Sequence, residues 1–194
     1  MKKINWKFIL ITILMIIIII VGIKVSDTGK LGASLISSKQ TITLQTNQGD
    51  IVIELFEKEA PNLSDNFYWL AKSGKYNNTI FHRVIDGFMI QGGDFENSDG
   101  TGGTGFKQKY VLDEFSESLS HTRGMVSMAN KGPDTNGSQF FIVQQDAEFL
   151  DVRHSIFGKV VSGMEIVDKI ASVTTDLNDK PKRDIVIKRA LPKK

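Results

Sequence analysis

Between Thr41 and Arg189 the chain is a succession of short stretches in which apolar and polar residues alternate, cut by clusters of Gly, Asn, Asp and Ser. Alternation of this kind puts every second side chain on one face, the pattern of strands that bury one side. Thr41–Thr46 (TITLQT) alternates strictly, Asn47–Asp50 supplies a turn, and Ile51–Leu55 (IVIEL) resumes, which predicts a hairpin. Phe81–Ile85 and Phe88–Gln91, joined at Asp86-Gly87, predict a second one. Gly124–Ala129, Ser138–Val143, Ser155–Val161 and Asp184–Arg189 read as further strands, and Val111–Phe115 as a short extra one. The period becomes helical twice. Leu63, Phe67, Leu70 and Ala71 share one side of Ala60–Ser73, with Pro61 suited to the first turn and Gly74 to the stop. Ile166, Val167 and Ile170 face inward from a second helix, Met164–Ala171. Eight or nine short strands against two helices, with no internal repeat, predict a mainly β fold, a closed barrel or a sandwich.

The N-terminus has a different character. Phe8 to Ile23 is an apolar run broken only by Thr12 and Gly22, preceded by Lys2, Lys3 and Lys7 and ended by Lys24. It is slightly shorter than the ~20 residues that span a bilayer core, and Ile4 and Trp6 extend it into the interface. No small-x-small site follows closely, Leu31-Gly32-Ala33 lying well downstream, so residues 1–25 are expected to be an uncleaved signal anchor. Secretion after cleavage is the alternative. Residues 26–39 then form a flexible tether, and 40–194 the folded domain, on the extracytoplasmic side of the cell membrane by the placement of the lysines.

Charge and composition remove several classes of function. The formal charge of +2 comes from 24 basic and 22 acidic residues, but residues 1–39 hold six Lys and one Asp. The remainder has 24 − 6 = 18 basic against 22 − 1 = 21 acidic residues, net −3, which argues against a nucleic-acid surface. There is no cysteine, hence neither disulfide nor thiolate chemistry. His82, His121 and His154 carry no metal-ligand spacing. No G-x-S-x-G elbow supports a hydrolase. The glycine-dense Asn97–Gly105 lacks the Lys-Ser/Thr ending of a phosphate loop and reads as a long surface loop. Arg83 stands out, a cation on a largely apolar hairpin. It either pairs with a carboxylate inside the protein or points its fork at a ligand.

Taken together, FHRVIDGFMIQGGD (81–94), GTGG (100–103), SMANKGPDTNGSQFFI (127–142) and FLDVRHSIFGKV (149–160) resemble the cyclophilins, the peptidyl-prolyl cis-trans isomerases. Their order and spacing agree, and the resemblance covers about Thr41 to Ala190. It implies an antiparallel eight-stranded barrel capped by two helices, a catalytic arginine at Arg83, and a proline pocket of Phe88, Met89, Phe141 and Leu150. It further implies that Gln91, Ala129, Asn130 and Gln139 bind the peptide backbone and that His154 is the pocket's histidine. Phe149 stands where many members have tryptophan, so cyclosporin-like ligands are expected to bind less tightly. Asp86 replaces a common proline.

The implied chemistry needs neither cofactor, metal nor covalent intermediate. Amide resonance opposes rotation about X-Pro by ~18–20 kcal/mol, and a guanidinium near the prolyl nitrogen stabilises the twisted amide more than the planar one. The expected partners are therefore proline-containing chains, with folding of exported proteins as the role. A non-catalytic proline-peptide-binding module of the same fold is the alternative, and it would not need Arg83. In isolation Phe88, Met89, Phe141 and Leu150 would be core residues and Gln139 a satisfied sheet residue. His82, next to Arg83 on an alternating strand, is expected to face the other way and be structural; His121 has no motif and is expected on a surface loop.

Overall fold

In the computed structural model, which describes residues 39–193, each of eight strands is hydrogen-bonded to two neighbours, so the sheet has no open edge. The elements are β1 (Thr41–Thr46), β2 (Asp50–Leu55), α1 (Pro61–Lys72), β3 (Thr79–Ile85), β4 (Met89–Gly92), β5 (Met125–Met128), β6 (Phe140–Val143), β7 (Ile156–Ser162), α2 (Met164–Ala171) and β8 (Val186–Lys193). Around the barrel they run β1-β2-β7-β5-β6-β4-β3-β8, all antiparallel. The anticipated anchor, residues 1–25, and tether up to Ser38 lie outside the described residues. Among those described, no helix is long and apolar enough to cross a membrane.

The alternation in the sequence maps onto the barrel wall. Ile42 and Leu44 of β1 and Ile51, Ile53 and Leu55 of β2 are buried, while the residues between them are partly exposed. Within the core five aromatic side chains meet, with Phe67 4.8 Å from Phe157, 4.9 Å from Tyr76 and 5.1 Å from Phe140 between ring centroids. Phe81 joins through Phe140 at 6.1 Å. Fully burying a side chain of this kind contributes roughly 1.5–3 kcal/mol, so this cluster anchors α1 to the barrel.

Helix α1 lies against β7 and β8 with Leu63, Phe67, Leu70 and Ala71 all buried, as their spacing predicts. Pro61 opens it, but Ala60 offers no side-chain cap. The cap comes from far along the chain, where the Glu114 carboxylate accepts N–H bonds from Asn62 (3.2 Å) and Leu63 (2.9 Å). That explains why the expected strand Val111–Phe115 is not one. Val111 makes a single bridge to Asn136, and Asp113 and Glu114 spend their side chains on anchoring, Asp113 binding Asn136 and Asp134. The final strand, expected to end at Arg189, continues to Lys193 because β1 lies alongside it.

Strand β6 (FFIV) is buried on both faces, the signature of a strand covered from two sides. Phe140 and Ile142 point into the main core. Phe141 and Val143 point outward and form a second apolar cluster with Met89 and Ala147, against which Phe88, Ala129 and Leu150 pack. This outer cluster is the floor of the site.

Candidate active site

A row of residues crosses four adjacent strands on this outer face. Arg83 on β3 stands opposite Gln91 on β4, Gln91 opposite Phe141 on β6, and Phe141 opposite Ser127 on β5. Directly opposed residues have Cβ atoms about 4.5–5.5 Å apart, so the pairing brings residues of two separated motifs, on four strands, into one line. A cavity of about 560 Å³ opens over it. Phe88, Met89, Phe141 and Leu150 line it, and so do Arg83, Gln91, Ala129, Asn130 and His154. Met89 and Phe141 are almost fully buried, so they are wall and core at once. Gln139 lines a neighbouring cavity of about 380 Å³, which shares Gln91, Ala129 and Asn130 with the first. Phe149 is not in the wall. It is 65% exposed, its ring 5.6 Å from that of Phe88, at the lip of the pocket.

The polar side chains are held by identifiable partners. The Gln91 amide donates to Gln139 Oε1 at 3.0 Å, and Gln139 Nε2 donates to the carbonyls of Gly100 (2.9 Å) and Gly102 (2.7 Å). Gln139 thus stands behind Gln91 and ties it to the glycine-dense loop. That loop is wound around buried Asp94, whose carboxylate accepts N–H bonds from Glu96, Asn97, Asp99, Gly100 and Gly102. Burial by itself would raise the Asp94 pKa, but these donors outweigh it and hold the pKa below the usual carboxylate range. The loop can wrap so closely because Gly137 lies beneath it: a Cβ there would sit 2.1 Å from the Gly103 carbonyl oxygen.

His154 Nδ1 lies 3.1 Å from the Met128 carbonyl, which can only accept, so Nδ1 carries the proton and Nε2 is an acceptor. Its ring meets Phe141 edge-on at 5.3 Å. Burial pulls its pKa below the ordinary histidine value, against the Met128 carbonyl and Asp113, which favour the proton. Asn130 Nδ2 donates to the Arg153 carbonyl at 2.9 Å.

Both remaining histidines depart from expectation. His82 lines the cavity instead of facing away, because β3 has a bulge between Phe81 and Arg83 and His82 is the additional residue. It is buried, both ring nitrogens lack a hydrogen-bond partner, and burial lowers its pKa. His121 is not on the surface. It is completely buried, Nδ1 2.5 Å from Asp151 and Nε2 2.8 Å from Ser127 Oγ, its ring stacked 5.9 Å from Phe141. This has the order of a hydrolase triad, yet Ser127 has no exposed surface and no substrate could reach it. The trio supports the pocket wall from below.

Arg83 does have a carboxylate neighbour. Its Nε lies 3.4 Å from Asp179 Oδ2, with the two side chains 45% and 42% exposed. A pair this exposed is worth ~0–1 kcal/mol, too little to sequester the guanidinium from a ligand. Asn178, beside Asp179, lines the cavity too. Among the described residues no group of three His, Cys, Asp or Glu side chains is placed to hold a metal.

The family described as cyclophilin type peptidyl-prolyl cis-trans isomerase/CLD matches residues 41–191. The chain belongs to this family. It is 49% identical to peptidyl-prolyl cis-trans isomerase cypE of Dictyostelium discoideum over 79% of this chain and 97% of that protein. It is 47% identical to peptidyl-prolyl cis-trans isomerase-like 2 of Rhizopus delemar over 79% of this chain, but spans only 29% of that longer relative. The crystal structure of a Cryptosporidium parvum cyclophilin type isomerase superposes with a TM-score of 0.77 at 40% identity, covering 80% of this chain and 98% of that one. The same protein has been solved in the presence of the dipeptide Ala-Pro. This cyclophilin is thus a peptidyl-prolyl cis-trans isomerase, and its cavity has the apolar walls such a reaction calls for.

Sequence reasoning missed His82, Asp99, Gly100 and Asn178 as cavity residues. For Asp99 and Gly100 a signal existed, since they lie in the glycine-dense loop, but its closure around Asp94 is not visible as a pattern. For Asn178 there was none.

Proposed function

We propose that this cyclophilin turns X-Pro bonds through Arg83 and that it works outside the cytoplasmic membrane on exported chains. The observation that carries the catalytic part is the placement of a half-exposed guanidinium at the rim of an apolar cavity walled by Phe88, Met89, Phe141 and Leu150. A proline ring in that cavity brings its nitrogen to the rim. As the amide twists, resonance is lost and the nitrogen gains a lone pair, which the guanidinium stabilises and the planar ground state does not present. Arginine suits the task because it stays charged and offers a fixed fork of donors. Asn130 and Gln91, both secured by hydrogen bonds, border the cavity where the flanking backbone would pass. The Ala-Pro dipeptide used with the Cryptosporidium parvum relative fits a site of this kind.

A non-catalytic binder of proline segments would be served by the same walls without Arg83. Isomerisation of an X-Pro peptide by the full chain separates the two readings. Arg83→Ala is expected to lower kcat about a hundredfold, the scale of one electrostatic donor, while peptide Kd stays within about threefold. Equal losses in both would refute the mechanism.

The membrane part rests on the sequence of residues 1–25, an apolar run behind three lysines. The N-terminal peptide of the mature protein tests it. Recovery of residues 2–7 in the membrane fraction after alkaline extraction is the expected result, and a mature terminus beyond Lys24 would replace the anchor with a cleaved signal.

A further inference from the structure

The segment following α2 is built to deliver one carboxylate to the catalytic strand. Thr175 bridges Pro181, and the Asp176 side chain accepts N–H bonds from Asn178 (2.8 Å) and Lys180 (3.0 Å). The Asp176 N–H is in turn bound by the Lys180 carbonyl at 2.8 Å. At its tip Asp179 takes up a left-handed conformation, φ 62°, which Asp tolerates better than most residues. Its carbonyl accepts the Val84 N–H at 2.8 Å, clipping the tip to β3 next to Arg83. Its side chain then meets Arg83 at Nε.

We propose that Asp179 is a positioning residue for Arg83: it holds the guanidinium by Nε so that the terminal N–H groups face the prolyl amide. The inference rests on the catalytic reading of Arg83 given above. Among the described residues the Asp179 contact is the guanidinium's hydrogen bond, and it uses the nitrogen nearest the chain. The two terminal nitrogens of this cavity-lining side chain are left for substrate. An unrestrained arginine must lose the freedom of several torsions on reaching the transition state, and a carboxylate at Nε removes part of that loss in advance. The carboxylate also offsets some of the positive charge that acts on the developing lone pair. The two effects have opposite signs, so the sign of the rate change decides which governs.

The left-handed backbone dictates the variants. Asp179→Gly keeps the conformation and removes the acceptor. Asp179→Asn keeps the conformation and an acceptor but removes the charge. In isomerisation assays on the full chain, Asp179→Gly is expected to lower kcat about fivefold, the upper range for a half-exposed pair, with KM little changed. Asp179→Asn is expected to recover to within about twofold of the wild type, since acceptor geometry and not charge does the positioning. In the Arg83→Ala background Asp179→Gly should have no further effect. The Arg83 Nε–H resonance should be sharp in the wild type and Asp179→Asn, and averaged in Asp179→Gly. A rate for Asp179→Gly equal to or above the wild type would overturn the inference, as would Asp179→Asn behaving like Asp179→Gly. If Arg83→Ala itself keeps the full rate, the catalytic reading fails first and the two failures are told apart.

Discussion

Asp94→Asn tests whether one buried carboxylate holds the loop behind the site. In the folded protein Oδ1 accepts from Glu96 (3.1 Å) and Asn97 (3.0 Å), and Oδ2 from Asp99 (3.3 Å), Gly100 (2.9 Å) and Gly102 (3.2 Å). An amide replaces one of these oxygens by a donor, so whichever way it is turned at least two N–H groups lose their acceptor and face another N–H. An orphaned buried donor costs about 1–3 kcal/mol. The loop can relieve part of this by swinging toward water, so the expected loss at pH 7 is about 2–4 kcal/mol. The functional effect follows because the carbonyls of Gly100 and Gly102 hold Gln139, and Gln139 holds Gln91. KM for peptide should rise with the loss of stability. Urea unfolding as a function of pH supplies the sharper check. The folded-state pKa of Asp94 is depressed, so its contribution is complete above the unfolded value of about 3.9 and disappears as pH falls through the folded value. The gap between wild type and variant should be full at pH 7, narrow below about pH 4, and close once the carboxyl is protonated. His82, His121 and His154 all have lowered pKa values and destabilise the fold between neutral and mildly acid pH. His121 and His154 do so equally in both proteins, whereas His82 loses the opposing Asp94 charge in the variant, so the gap is compared at pH 7 and again below about pH 4. A gap under about 1 kcal/mol at pH 7, or one that persists undiminished at acid pH, would refute the reasoning.

Two further outcomes concern the exposed apolar residues Val152 and Phe149. Val152 is β-branched, 77% exposed and left-handed at φ 55°. That conformation costs an L residue roughly 1–2 kcal/mol, and glycine gives back about 0.5–1 through the unfolded chain, so Val152→Gly should stabilise by about 0.5–1 kcal/mol, read as a rise in urea midpoint at constant slope; a fall would contradict it. Phe149→Trp restores an indole N–H at the exposed lip, and cyclosporin-like ligands should bind about threefold to tenfold tighter, the worth of one hydrogen bond. Unchanged affinity would mean that this N–H is not used.

Most of the barrel was readable because its strands alternate and its turns carry Gly, Asn and Asp. What escaped detection depends on contacts between distant parts of the chain. His121 reads as an unremarkable polar residue until Asp151 closes on it and Ser127 lies beneath it. Val111–Phe115 has the look of a strand, but Glu114 is engaged at the start of α1. Strict alternation puts His82 on the wrong face because it takes no account of a bulge. The residues lining the cavity were legible for another reason: their motifs resemble a known family, whereas periodicity alone would have left Phe141 and Met89 in the core. The Asp179 contact was invisible, since it joins two segments nearly a hundred residues apart through a loop with no distinctive composition.

The pairing of β1 with β8 has a consequence for how the enzyme comes into being. Thr41 lies beside Lys193 and Leu44 beside Ala190, so the seam of the barrel is made from the first and last strands of the domain. During synthesis β1 emerges first and must wait for its neighbour until the last strand is out. Throughout that interval β1 presents an unpaired edge, and β3 lacks its partner on the β8 side. Contacts so distant in sequence are slow to form, because loop closure must come before they reward it. A nascent chain of this topology cannot complete its fold in stages. Its barrel closes only when β8 has paired with both β1 and β3.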